Sequence, residues 1–364
     1  MRESFIEIDR KRLYHNWQVF KQHIKPGTQI LANLKANAYG IGAYEIGQLL
    51  EQWDVSYFSV AYINEGVTLR QKGIKTNLLV FNPSFEHFES LVTYRLEPEV
   101  SSLAYLKALI TFLKSRGIRD FPVHLKLDTG MHRAGIMPSE LSDLQALLQD
   151  ESIKVASVFS HLAAAEDPSE DDFTQRQITL FKQMSRQLAA GLPYGFFRHL
   201  LNTAGVFRFS EAQFDMIRPG LGLFGYHLTP EYQQLLQPVM QLKTKINQVK
   251  RLSAGETVGY NRKFTVDTSA KVGLLPLGYA DGISRRLGQG KYTVKCGGHH
   301  LPVIGVVSMD TLSIDLTGTG CKAGDMVTVI DHNRDIYRLS EQLQTIPYEI
   351  LASLSHRLER RYAQ

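Results

Sequence analysis

Apolar residues first recur at helical spacing. Leu13, Trp17, Phe20 and Ile24 fall four, three and four residues apart, and Asp9 stands where it can cap the helix they mark. A short apolar run at 29–34 predicts a strand, and a helical stretch follows over 43–52. From there the two patterns alternate. Strand-like runs stand near 57–61, 77–81, 96–100, 122–127, 154–159, 198–201 and 215–217. Helical stretches separate most of them, among them 102–116, 138–149 and 171–190. With the first run this makes eight strands, and strands alternating with helices predict a parallel sheet. Eight such units in roughly 220 residues predict an α/β fold with an N-terminal (β/α)8 barrel. The pattern changes near Pro238. Short alternating runs at 242–249, 272–275, 292–295 and 326–330 are broken by turns such as Gly288-Gln289-Gly290 and Gly297-Gly298. They predict a mostly β C-terminal domain, closed by a helix over 348–357 behind Pro347. The expected domains are 8–235 for the barrel and 236–364 for the β domain, with residues 1–7 able to join the latter.

Composition agrees with two buried cores. The chain has 364 residues, 43% of them hydrophobic and 21% charged. The formal charge of +5 is spread thinly, with no block of like charges, so neither nucleic acid nor a membrane surface is expected as a partner. The first residues lack the apolar core of a signal segment, and no apolar run approaches the ~20 residues of a membrane helix. The two cysteines, Cys296 and Cys321, lack zinc-ligand spacing. No metal and no disulfide are expected, and a reducing cytoplasm fits best.

Candidate chemistry gathers where the barrel strands end. Lys35 ends the first, Lys126 and Asp128 the fifth, His161 follows the sixth, Asn202 the seventh and Arg218 the eighth. Barrel active sites occupy that face. Any one lysine is more often a solvated surface charge, but six polar groups on one rim are harder to dismiss. Asn202-Thr203-Ala204-Gly205 and Arg218-Pro219-Gly220-Leu221-Gly222 offer hydroxyl and backbone N–H groups suited to a phosphate. The glycines could equally only shape turns. Gly220 to Gly225 also matches G-x-G-x-x-G, but Pro230 and Pro238 follow and position 245 is lysine, so a dinucleotide site is not indicated.

Leu34-Lys35-Ala36-Asn37-Ala38-Tyr39-Gly40 resembles the cofactor-lysine motif of alanine racemases. The resemblance continues through 124–133, 216–221, 276–282 and 307–310, in the family's order. It implies pyridoxal 5'-phosphate as cofactor, a barrel plus a C-terminal β domain, and racemisation of alanine by a lysine/tyrosine pair of acid–base groups, supplying D-alanine for peptidoglycan. By the same resemblance Lys35 would hold the cofactor covalently and Tyr260 would be the second acid–base group, reaching in from the partner of a homodimer. Tyr39, Thr203, Gly220 and Leu221 would contact the phosphate, Arg133 would sit beside the ring oxygen, His161 and Asn202 against the ring, and Arg218 at the pyridine nitrogen. Arg133, Tyr279, Met309 and Asp310 would meet the substrate. Lys126 would be carbamylated to orient Arg133; the plain alternative pairs it with Asp128.

Three positions depart from the family pattern: Ile41 for a histidine, Val306 for an arginine, and His356 for a phosphate-contacting tyrosine. His356 is therefore expected either at the cofactor phosphate or as a surface residue on the last helix. Two further activities stay open, racemisation of another small amino acid and decarboxylation by a barrel enzyme of the same cofactor class. The glutamate-proline-glycine-arginine stretch and catalytic cysteine motif of such decarboxylases are missing. A non-catalytic carrier of the cofactor would resemble a lone barrel, without the added domain that bears Tyr260.

Overall fold

A computed structural model describes residues 3–332 and 335–363. Residues 1, 2, 333, 334 and 364, which fall within the expected domain spans, lie outside the described part. The chain gathers into two compact units. One holds His15–Ala38 and Ala43–Leu236; the other holds the chain up to Tyr14, Tyr39–Gly42 and the chain from Gln237 onward.

The first unit is a closed parallel barrel of eight strands. In order they are Gln29–Asn33, Tyr57–Val60, Asn77–Val80, Glu97–Val100, Phe121–Lys126, Ile153–Phe159, Phe197–His199 and Met216–Ile217. The last pairs with the first, Gln29 opposite Met216. Strands such as Asn77–Val80 are short and nearly all apolar because both faces are covered, by helices outside and by packed side chains within. Leu31, Tyr57, Leu79, Phe159 and Met216 fill the barrel, with Phe81 against them. The amphipathic helices hold the same register: Asp171–Ala190 buries Ile178, Phe181, Met184 and Leu188 at spacings of three, three and four. Ser102 caps Leu103–Ser115 by accepting the Tyr105 N–H.

The second unit is built on a nine-stranded sheet. Phe5–Asp9 lies inside it, antiparallel to Met240–Lys245 and parallel to Glu359–Ala363. Neither outer pairing is local in sequence, and neither Phe5–Asp9 nor Glu359–Ala363 was expected as a strand. The run expected over 242–249 is two strands, Met240–Lys245 and Gln248–Leu252. Between them the Ile246 and Asn247 amides donate to the Asp325 and Leu274 carbonyls, which turns the chain. The final helix is also shorter than its pattern suggests, ending at Ala352. Beyond it the Ser355 amide donates to the Asp281 carbonyl and draws the chain away into a turn.

Candidate active site

Lys35 leaves the first barrel strand into an unusual turn. Ala36, Asn37, Ala38 and Tyr39 are all left-handed, with φ between 51° and 55°. Each such residue without glycine costs about 1–2 kcal/mol. Local bonds hold the turn open. The Glu65 carboxylate accepts the Ala36 amide at 2.7 Å, and the Asn37 side chain accepts the Ala43 amide at 2.9 Å. Burial lowers the Lys35 pKa, reinforced by Arg133, Lys126 and Arg218 and opposed by Glu65. A lowered pKa raises the neutral, nucleophilic fraction of the amine.

The same barrel end carries the other expected residues of this unit. His161 is held far below its usual pKa by burial first, then by Arg218, Arg133, Lys35 and Lys126, so it is a neutral ring among cations. Arg218 is 4% exposed; its Nη2 donates to the Ser160 and Leu200 carbonyls at 2.6 and 3.1 Å and lies 3.3 Å from His161 Nδ1. Burial pulls its guanidinium down to about 9, with Glu99 opposing, so it stays charged at neutral pH. Arg133 is exposed, on a tight loop closed by Asp128, which accepts the Gly130 and His132 amides at 2.9 and 3.1 Å. Asn202 caps the helix Thr203–Arg208 through Gly205. The Thr203 hydroxyl lies 3.1 and 3.3 Å from the Gly220 and Gly222 amides, with Leu221 buried between them.

Gly222 is required there by space. A Cβ would meet the Phe20 ring and the Thr203 methyl at 2.6 Å. Gly222→Ala should therefore cost about 1–3 kcal/mol of stability and weaken binding of a phosphate-bearing ligand; a thermal melt and a titration unchanged from wild type would contradict this.

Sequence reasoning missed a buried polar chain beneath Arg218. Arg218 Nη1 lies 2.7 Å from His199 Nδ1, His199 Nε2 lies 2.7 Å from Ser157 Oγ, and Ser157 Oγ lies 2.6 Å from His124 Nδ1. His124 Nε2 then lies 2.7 Å from a Glu97 oxygen. Arginine only donates, so the proton order is set. His199 accepts at Nδ1 and donates to Ser157, Ser157 donates to His124, and His124 donates to the carboxylate. Burial, with Arg218 and His124, holds His199 well below its usual pKa, as this order needs. Lys126 does not take Asp128, the partner of the plain alternative. Its Nζ lies 3.2 and 3.3 Å from the two oxygens of Glu99, while Asp128 serves the loop. The missed signal is polar residues two apart, Glu97 with Glu99 and His124 with Lys126, which places each pair on one inward strand face.

The remaining expected residues belong to the second unit. Tyr39 is buried, its ring 5.9 Å from Tyr348, and burial pushes its hydroxyl pKa up. Ile41 is buried, and its carbonyl accepts the Tyr362 hydroxyl. Tyr260, Tyr279 and Met309 are 68, 43 and 53% exposed. They share one area: the Tyr279 and Ala280 amides donate to the Ser308 and Met309 carbonyls, and a Cβ on Gly259 would lie 3.5 Å from the Val306 amide. Asp310 is bound by Arg357 at 2.7 Å. His356 is exposed in the turn after the last helix, not on the helix.

A closed eight-stranded parallel barrel with a lysine just after its first strand, followed by a unit built on a β-sheet, defines the class of barrel-plus-β-domain proteins. The family model for the alanine racemase N-terminal domain matches residues 8–228, and that for the C-terminal domain matches residues 239–362. The alanine racemase of Synechocystis sp. is 33% identical over 367 residues, covering 98% of each chain. The alanine racemase structure from Clostridium difficile 630 superposes with a TM-score of 0.94 at 30% identity, covering all of this chain and 96% of that one. That of Bartonella henselae, which holds covalently bound pyridoxal phosphate, has a TM-score of 0.87 at 29% identity and covers both chains fully. This chain belongs to the alanine racemase family.

Proposed function

We propose that the chain interconverts L-alanine and D-alanine with pyridoxal 5'-phosphate as cofactor. The observation that carries the reading is Lys35, an amine of lowered pKa at the barrel mouth among Arg133, Lys126 and Arg218. The donor set suits the cofactor. Its aldehyde needs an amine, which Lys35 offers. Its phosphate needs N–H and O–H donors, which the Thr203 hydroxyl offers together with the Gly220 and Gly222 amides that lie 3.1 and 3.3 Å from it. Its ring nitrogen needs a donor, and Arg218 has only donors. When bound, the cofactor supplies an electron sink for the pair left on the substrate carbon by proton loss.

The chain's own groups do the rest. Lys35 and Tyr260 hold and move the proton, one on each face of the substrate carbon, because inversion needs an acid–base group on both sides. Arg218 offers the ring nitrogen an N–H and keeps it at neutral pH, where its guanidinium stays charged. Neutral His161 and Asn202 confine the ring, Arg133 orients it, and Tyr39, Leu221 and His356 add phosphate contacts. Tyr279, Met309 and Asp310 receive the substrate. On this reading residues 8–235 carry the cofactor, and residues 236–364 cover the barrel of a second copy in a homodimer. The exposure of Tyr260, Tyr279 and Met309 supports that. No helix among the described residues is long and apolar enough to cross a membrane; a cytoplasmic reaction is part of the proposed reading.

Incubation with L-alanine and pyridoxal phosphate should yield D-alanine on chiral chromatography. Release of carbon dioxide instead would favour a decarboxylase, and no turnover would leave a carrier. A panel of amino acids should show alanine turned over fastest; a faster substrate of another size would move the assignment to that amino acid.

A further inference from the structure

Lys126 and Glu99 are 8 and 2% exposed, on neighbouring barrel strands. Their contact is two-pronged, Nζ at 3.2 and 3.3 Å from the carboxylate oxygens. The surroundings are cationic. Lys126 Nζ and Arg218 Cζ lie 5.9 and 5.2 Å from the centre of one ring, Phe159. Asp128, the nearer carboxylate in sequence, accepts two loop amides and lies 3.4 Å from the His132 ring. A buried charge persists only with a partner, and here the partner of Lys126 is Glu99.

We propose that Glu99 is a positioning residue, the resident anion beside Lys126, and that it keeps Lys126 an unmodified amine. The proposal rests on the barrel mouth being the cofactor site. Carbamylation would join the carbon of carbon dioxide to Nζ and release one proton to solvent, turning a cation into an anion. That anion would face the Glu99 carboxylate across the distance the ammonium now bridges. Two carboxylates sharing one site do not both ionise. Glu99 therefore already meets the need for negative charge that a carbamate would meet, and it orients Lys126. Burial pushes its carboxyl up to about 7, and Lys126, Arg133 and Arg218 each pull it back toward the charged form, so the charge of Glu99 depends on these cations.

Carbon-13 NMR of the full-length protein in labelled bicarbonate tests this, with and without pyridoxal phosphate. The wild type should show no protein-bound carbamate. Glu99→Gln should gain one stoichiometric with the chain, and adding Lys126→Met should abolish it. Glu99→Asp, which keeps the charge, should stay silent. Glu99→Gln should also lose about tenfold in kcat when carbon dioxide is stripped and regain it with bicarbonate, while the wild type changes less than about twofold. A carbamate in the wild type overturns the proposal whether or not the variants fold. A silent Glu99→Gln spectrum, or a carbamate in Glu99→Asp, also overturns it. The spectra do not depend on turnover, so failure to make D-alanine would count against the proposed reaction and leave this result readable.

Discussion

Lys35→Ala should lose at least about a thousandfold in racemisation, because it removes both the covalent anchor and one of the two proton-moving groups. In the wild type, borohydride should fix pyridoxal phosphate to the peptide that contains Lys35; label on any other lysine would sink the assignment. The pH dependence has a defined sign. Attachment needs the neutral amine, and the Lys35 pKa lies below 10.5 through burial first, then Arg133 and Lys126. The attachment rate should therefore rise with pH and level off below 10.5. A rate still climbing beyond that value would mean that the amine behaves as an ordinary exposed lysine.

Equal amounts of Lys35→Ala and Tyr260→Phe, unfolded and refolded together, should recover activity that neither has alone. Tyr260→Phe by itself should lose about a hundredfold or more, as loss of one proton-transfer group does. If each site takes Lys35 from one chain and Tyr260 from its partner, a mixed dimer has one site with both defects and one with neither. Random pairing makes about half the dimers mixed, so about a quarter of all sites should be intact under twofold symmetry. A mixture as poor as its parents, with mixed dimers demonstrated by mass, would place both residues in the same chain's site. The motive lies in the second unit, where Tyr260, Tyr279 and Met309 are 68, 43 and 53% exposed, an unusual setting for large apolar side chains.

Much of this was legible in one dimension. Buried parallel strands read as short continuous apolar runs and amphipathic helices as a 3.6-residue period, so the eight-fold alternation was visible before any contact was known. Lys35, His161, Asn202 and Arg218 could be placed on one rim because a parallel barrel puts every strand's C-terminal end on the same side. The motif around Lys35 named the cofactor chemistry. What it could not convey is that Ala36 to Tyr39 form a left-handed turn, since none of them is glycine and local propensity opposes that conformation.

Tertiary structure alone decided the partnerships. Phe5–Asp9 and Glu359–Ala363 are strands because they pair with each other across the length of the chain, and a five-residue segment carries too little pattern to announce that. The last helix ends at Ala352 because Asp281 captures the Ser355 amide. Asp128 is two residues from Lys126, yet the lysine turns to Glu99 on the adjacent strand. Alternation sends side chains two apart to the same face of a strand, but which charge lies across from it depends on register between strands. Register is a property of the closed barrel, and with it came the ion pair of Lys126 and the proton order from Arg218 to Glu97.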